Sequence, residues 1–218
     1  MKIKILTLFP EYFDSIFSSS IIKRAQVNNF VTFEVINIRD FTQDKHQVTD
    51  DRPFGGGPGM VLKVEPIDFA LQSIGAQKGS KDKKIVLTSA KGKPFSQAVA
   101  QSYSELEELV FICGHYEGID ERVAEYLVDE EVRIGDYVLT GGEPAVAVML
   151  DAVLRLIPGV LGNEESIVDE SHSKPGKLAY PVYTRPVVYN SWKVPEVLTS
   201  GDHKKIADWR KSQETESK

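Results

Sequence analysis

Apolar positions along the chain change period repeatedly. Residues 2–9 (KIKILTLF) form an apolar and β-branched run that Pro10 ends, which predicts a strand. Residues 31–38 (VTFEVINI) alternate with a period near two and predict another. Between them, 11–26 suits a helix, weakened at Ser18-Ser19-Ser20. Further strands are predicted over 84–89 (KIVLTS), 109–113 (LVFIC) and 131–134, and helices over 65–74, 95–103, 119–128 and 143–157. Pro144 falls in the first turn of the last helix, where its missing N–H costs nothing. Strands alternating with helices predict an α/β fold with a mostly parallel sheet.

Three stretches lack periodicity. Residues 39–62 are rich in Gly, Pro and Asp, and loops of that length in a compact domain tend to be functional or disordered. Residues 77–84 (QKGSKDKK) read as a solvated surface loop. The polar stretch 163–181 reads as a linker, beyond which Asp202 is placed to cap a helix over 203–212. The final QETESK is expected to fray. The organisation predicted is a body over 1–162, a linker over 163–181 and a small helical part over 182–218.

Composition narrows the class. With 218 residues, 41% hydrophobic and 27% charged, the chain can bury a core without staples. Its 32 acids against 26 bases leave a net charge of −6, which excludes a sequence-blind nucleic-acid coat but not a local basic surface. One cysteine, Cys113, allows no intrachain disulfide. The N-terminal apolar run breaks at Pro10 and Glu11, too early for a signal peptide. The longest apolar stretch, Ala145 to Ile157, carries Asp151 and Arg155 and is no membrane span. These features are read as a cytoplasmic protein with no membrane partner.

Three glycine-bearing segments carry the candidate chemistry. DDRPFGGGPGM (50–60) lacks the Gly-Lys-Ser/Thr of a P-loop, and no strand leads into it as a dinucleotide fingerprint needs. A flexible loop and a substrate-facing loop exposing Arg52 remain equal readings. CGHYEGIDER (113–122) follows a strand and precedes a helix, and ligands of open α/β sheets bind outside the carboxyl ends of strands. Asp120 as a helix cap and Glu121 as a first-turn acid explain part of it, but not Gly114, Tyr116 or Gly118. IGDYVLTGGEP (134–144) again joins strand to helix. With Leu87-Thr88-Ser89-Ala90 at a further strand end, three loops opening to one side predict a backbone-lined pocket of adenosine size.

Other centres are poorer. His46, His115, His172, His203 and Cys113 lack zinc-like spacing, so no metal site is expected. Cys113 reads as a buried thiol, and Ser18-Ser19-Ser20 is no nucleophile elbow. Glu164, Glu165, Asp169 and Glu170 read by default as a solvated linker.

Taken together and in order, DDRPFGGGPGM, CGHYEGIDERV, IGDYVLTGGEPA, IPGVLGNEES, YTRP and SGDHKKIADWR resemble the bacterial tRNA (guanine-N1)-methyltransferases, the TrmD family. The resemblance runs from about Leu6 to Arg210 and implies the SPOUT architecture with a deep C-terminal trefoil knot, which no general folding rule would predict. It implies a homodimer with composite active sites, a tRNA substrate, S-adenosylmethionine as cofactor and, as an open point, Mg2+. Cofactor contacts carry over to Leu87, Thr88 and Ser89, to Gly114, Tyr116, Glu117 and Gly118, and to Ile134, Gly135, Tyr137, Leu139, Gly141, Gly142 and Pro144.

By the same resemblance the reaction methylates N1 of the guanosine immediately 3′ of the anticodon. Guanine N1 must lose a proton, which a carboxylate accepts, while charge builds on O6. Arg155 matches the family's catalytic arginine, and the base maps to Glu170, where the family pattern has an aspartate, with Asp169 as the second choice. Arg52, Gly59 and Arg185 are the expected tRNA contacts, and Lys174 and Lys177 read equally as contacts or as solvated charges. Relatives are expected to continue past the Trp209-Arg210 helix, which makes the tRNA-binding end short here. Two other functions stay open: an RNA-binding module with weak catalysis, and a knotted methyltransferase acting on another base.

Overall fold

The computed structural model describes residues 1–162, 169–174 and 176–216. Two compact units divide the chain, Met1–Gly162 and Asn163–Lys218.

The first unit is built on a five-stranded sheet. Its strands are β1 (Lys2–Thr7), β2 (Thr32–Asn37), β3 (Lys83–Pro94), β4 (Glu108–Ile112) and β5 (Glu130–Arg133). Their spatial order is β2-β1-β4-β3-β5, and every pairing is parallel. All five residues of the central strand β4 are buried, as a strand covered on both faces requires. Alternation sorts the side chains between two cores. Ile3, Ile5, Val86, Leu109 and Phe111 face one cluster, and Leu6, Ile85, Leu87, Val110 and Ile112 face the other. The first cluster is closed by α1 (Ser20–Val27), α3 (Gln97–Ser104) and α4 (Glu143–Leu154); the second by α2 (Val64–Ser73). Fully burying Met149, Leu150, Val153 and Leu154 contributes about 1.5–3 kcal/mol per side chain. This is the mostly parallel α/β architecture that the residue pattern predicts.

Local departures have local causes. The single helix expected over 11–26 is broken into a 3-10 turn (Pro10–Phe13), a helical turn (Asp14–Phe17) and α1. Ser18 and Ser19 hydroxyls donate to the Ser15 carbonyl at 3.1 and 2.6 Å, and Ser20 adopts a left-handed φ of 47°. Serine hydroxyls compete with the helix ladder in this way. The helix expected over 119–128 contains a π-helix, Val123–Leu127, closed by the Val128 amide on the Val123 carbonyl. Strand β3 runs five residues past its expected end. Thr88 and Lys93 both pair with Val132, so residues 89–92 leave the ladder and return. At the return, a Cβ on Gly92 would meet the Val132 amide and the Glu131 backbone, so only glycine fits.

The second unit has an antiparallel hairpin, Val188–Tyr189 with Trp192–Lys193, and α5 (His203–Gln213). Asp202 caps α5, accepting from the Lys205 amide at 3.1 Å, as expected. Thr215–Glu216 pairs with Lys177–Leu178, so these tail residues are held in a ladder rather than frayed. Part of the expected linker, residues 163–168 and Pro175, lies outside the described residues, among them Glu164 and Glu165.

Candidate active site

The excursion within β3 and the loops that follow β4 and β5, three neighbouring strands, meet at the carboxyl end of the sheet. They enclose a cavity of about 450 Å³, a volume typical of small-molecule sites. Every expected cofactor residue lines it except Pro144, which stands half-buried in the first turn of α4.

The loops are bonded to one another. Thr88 Oγ1 donates to the Ile112 carbonyl at 3.1 Å and accepts from the Gly114 amide at 3.3 Å. The Gly142 amide donates to the Gly114 carbonyl at 2.8 Å. A Cβ on Gly142 would collide with Thr88 Oγ1 and lie 2.8 Å from Cys113 Cα and 2.9 Å from the Gly114 nitrogen. Two of those neighbours are backbone and cannot yield, so glycine here is a demand of packing. Glycines in the second and third segments, Gly114, Gly118, Gly135, Gly141 and Gly142, keep backbone edges close to the cavity, which suits a flat, hydrogen-bonding ligand such as adenosine.

Charged side chains ring the cavity. Lys91 and Glu121 form an ion pair between the first and second loops, which raises the Lys91 pKa. Arg133 donates from Nε to Asp136 at 2.8 Å and from a terminal nitrogen to the Gly92 carbonyl at 2.5 Å. The Arg122 guanidinium binds both oxygens of Asp120, at 2.8 and 2.7 Å, and holds that carboxyl below its ordinary range. Asp120 also accepts from the Arg122 amide at 3.0 Å, the local capping role expected of it.

The 50–60 loop divides into a tip and an anchor. At the tip Phe54 is fully exposed, and Gly55, Gly56 and Gly57 all have positive φ. Arg52 is exposed, its amide donating to the Asp51 carboxylate at 2.7 Å. At the anchor the Glu117 amide donates to the Met60 carbonyl, and the Leu62 amide to the Gly118 carbonyl, each at 3.0 Å. Gly59 has a φ of 81°, and a Cβ there would lie 2.6 Å from Glu117 Oε1. The end of this loop is thus stitched to the cavity wall.

The expected catalytic residues lie on both units. Arg155 caps the C-terminus of α4 and is half-buried. Asp169 and Glu170 belong to the second unit, as does Arg185, which is exposed. Lys177 lies 3.2 Å from Glu214 and 3.5 Å from Asp169, an arrangement that raises its pKa and favours a paired over an RNA-facing role. Cys113 is fully buried, and burial, reinforced by the nearby Glu143, pushes its thiol well above the ordinary range, so it is no nucleophile. Among the described residues, no group of three or more His, Cys, Asp and Glu side chains could hold a metal ion. No helix among them is long and apolar enough to cross a membrane.

Three charged lining residues carry no signal in the sequence motifs: Lys91, Glu131 and Arg133, which belong to the excursion of β3 and the β5 strand beside it. His115, which lacks metal-ligand spacing, lines the cavity. Its motif position was the available signal.

Comparison with known proteins identifies the family. A family model described as tRNA (Guanine-1)-methyltransferase TrmD matches residues 1–218. The chain belongs to the TrmD family. It is 54% identical over 213 residues to a tRNA (guanine-N(1)-)-methyltransferase of Carboxydothermus hydrogenoformans, covering 98% of this chain and 82% of that one. A protein of the same name from Staphylococcus carnosus is 52% identical over 213 residues, with 98% and 85% covered. One from Ruminiclostridium cellulolyticum is 52% identical over 214 residues, with 98% and 91% covered. The resemblance carried by the glycine motifs is therefore membership of a TrmD-family enzyme group.

Proposed function

We propose that the protein transfers a methyl group from S-adenosylmethionine to N1 of the guanosine immediately 3′ of the anticodon in tRNA. The observation that carries this reading is the cavity where two glycine loops meet residues 87–91 of β3, in a chain of the TrmD family. Its volume and its backbone-rich wall fit an adenosine-bearing methyl donor. When bound, that cofactor supplies an electrophilic methyl on a sulfonium, so the protein needs no nucleophile of its own.

The chain's residues then have three tasks. Leu87, Thr88 and Ser89, with Gly114, Tyr116, Glu117 and Gly118 and with the third-loop residues from Ile134 to Gly142, bind and orient the cofactor. Glu170, or Asp169 beside it, accepts the N1 proton as general base. Arg155 offsets the charge that develops on guanine O6. Alignment of methyl and N1 supplies much of the remaining acceleration. Arg52, Gly59 and Arg185 contact the tRNA. The same reading includes the SPOUT-type trefoil knot, a helical tRNA-binding role for the C-terminal unit, a homodimer with composite sites, and a cytoplasmic location beside the substrate.

The test is labelled S-adenosylmethionine with unmodified tRNA bearing guanosine 3′ of the anticodon. Methyl transfer to N1 of that base is expected. Cofactor binding without transfer would favour the RNA-binding module, and methyl appearing on another base would favour the related methyltransferase. Glu170→Gln is expected to cut turnover about 10²–10⁴-fold with cofactor affinity near wild type. Unchanged turnover would move the base to Asp169, and Arg155→Ala should also lose rate.

A further inference from the structure

A buried polar cluster lies behind the cavity wall. Glu143, the first residue of α4, is 2% exposed and is not itself a lining residue. One carboxylate oxygen accepts from the Thr7 hydroxyl at 2.5 Å, and the other lies 2.8 Å from His115 Nε2. In the tautomer that carries its proton on Nε2, His115 is the second donor to this carboxylate. Thr7 ends β1 and also accepts from the Phe9 amide at 3.0 Å, while the Phe9 ring packs on His115 at 4.8 Å. Cys113, next to the loop that carries His115, contacts Thr7 from the same buried side.

The cluster joins three parts of the chain that are far apart in sequence, and it touches the cavity at two points. His115 lines the cavity directly. Gly141 bridges to His115, and a Cβ on Gly141 would meet both His115 Nε2 and, at 2.6 Å, Glu143 Oε2. The carboxylate therefore sits immediately under the third loop. Its place in the first turn of α4 is one where an anion is favoured, so the helix helps to keep it there.

We infer that Glu143 is a positioning residue for the cofactor cavity: through Thr7 and His115 it clamps the second and third loops to the end of β1 and thereby sets cofactor affinity. The inference rests on the reading of this cavity as the S-adenosylmethionine site. Its chemistry is that of a buried acceptor with two donors, and shape matters more than charge. Glutamine can keep the Thr7 hydrogen bond and meet the other tautomer of His115, whereas leucine fills the space and leaves both donors without an acceptor.

The experiment measures S-adenosylmethionine affinity by calorimetry, kcat at saturating cofactor, and the urea midpoint, in wild type, Glu143→Gln and Glu143→Leu. Glu143→Leu is expected to weaken affinity roughly tenfold, the equivalent of one lost charged hydrogen bond, with kcat within about twofold of wild type. Glu143→Gln is expected to restore affinity to within about twofold. A merely structural role would lower the urea midpoint and the active fraction while leaving the affinity of folded protein unchanged, and that result overturns the inference. Should Glu143→Leu fail to fold, Thr7→Val and His115→Phe each remove one arm, and each is expected to weaken affinity about threefold or more. Wild-type affinity in both would overturn the inference equally. Failure of the wild-type protein to bind S-adenosylmethionine would instead overturn the reading of the cavity and, with it, this inference.

Discussion

The two ends of the parallel sheet are finished with different chemistry. At the amino end, carboxylate side chains meet the polar groups. Asp129 accepts from the Gly79 and Ile85 amides at 2.7 Å each, and Glu108, nearly buried, lies 3.5 Å from Lys4 Nζ and 3.6 Å from Lys83 Nζ. At the carboxyl end, three loops put glycine and backbone where the amino end has side chains, and a cavity of about 450 Å³ lies among them. An end closed by side chains stabilises the strands it caps. An end built of glycine leaves backbone donors and acceptors close enough for a ligand to use. The contrast predicts that substitutions at the two ends separate stability from binding.

The largest expected effect is at the carboxyl end. Gly142→Val places atoms against Thr88 Oγ1, Cys113 Cα and the Gly114 nitrogen, so it should weaken S-adenosylmethionine binding by about 100-fold or more, read by calorimetry. Near-normal affinity would mean that the three loops can separate without harming the site. Next comes Asp129→Ala, which leaves two amides without their acceptor. It should lower stability by about 1–2 kcal/mol in urea titration and leave cofactor affinity unchanged. Weakened binding in this variant would break the contrast between the two ends.

Cys113 sharpens the contrast, since it shows that the carboxyl end is open only on its glycine face. Its thiol is buried and its pKa raised, so the folded state gains from the neutral form. That contribution is fully present below the thiol's unfolded pKa and is lost as pH rises from there toward the folded value. Stability should fall by up to about 1.4 kcal/mol per pH unit above the ordinary thiol range, and Cys113→Ala should lack this component in urea titrations at successive pH values. The smallest effect is expected at Lys91, whose ion pair with Glu121 has both side chains 58% exposed. Lys91→Ala should change stability by less than about 0.5 kcal/mol, and a larger loss would show that this pair braces the loops.

Much of this was legible from residue order. The apolar, β-branched run KIKILTLF and the alternation in VTFEVINI mark strands, the latter because a pleated strand sends successive side chains to opposite faces. Glycine motifs directly after strands mark the cavity, because that is where an α/β sheet offers backbone to a ligand. The expected cofactor residues line it apart from Pro144, whose place in the first turn of α4 is a helix signal. Other features were not legible. The break at Ser18-Ser19 depends on hydroxyls finding the Ser15 carbonyl rather than solvent. The added length of β3 and the need for Gly92 exist only because β5 lies alongside.

The sequence by itself determined the class of fold, the three glycine loops and the family, since these rest on local periodicity and on motifs of contiguous residues. Only the tertiary structure decided that Gly142 must be glycine, that Gly59 lies against Glu117, and that Thr7 meets Glu143 across 136 positions of chain. The reason is physical. A period of two or a turn residue is a property of neighbours in sequence, whereas a buried carboxylate acquires its partners only when packing brings distant strand ends together and excludes the water that would otherwise satisfy it.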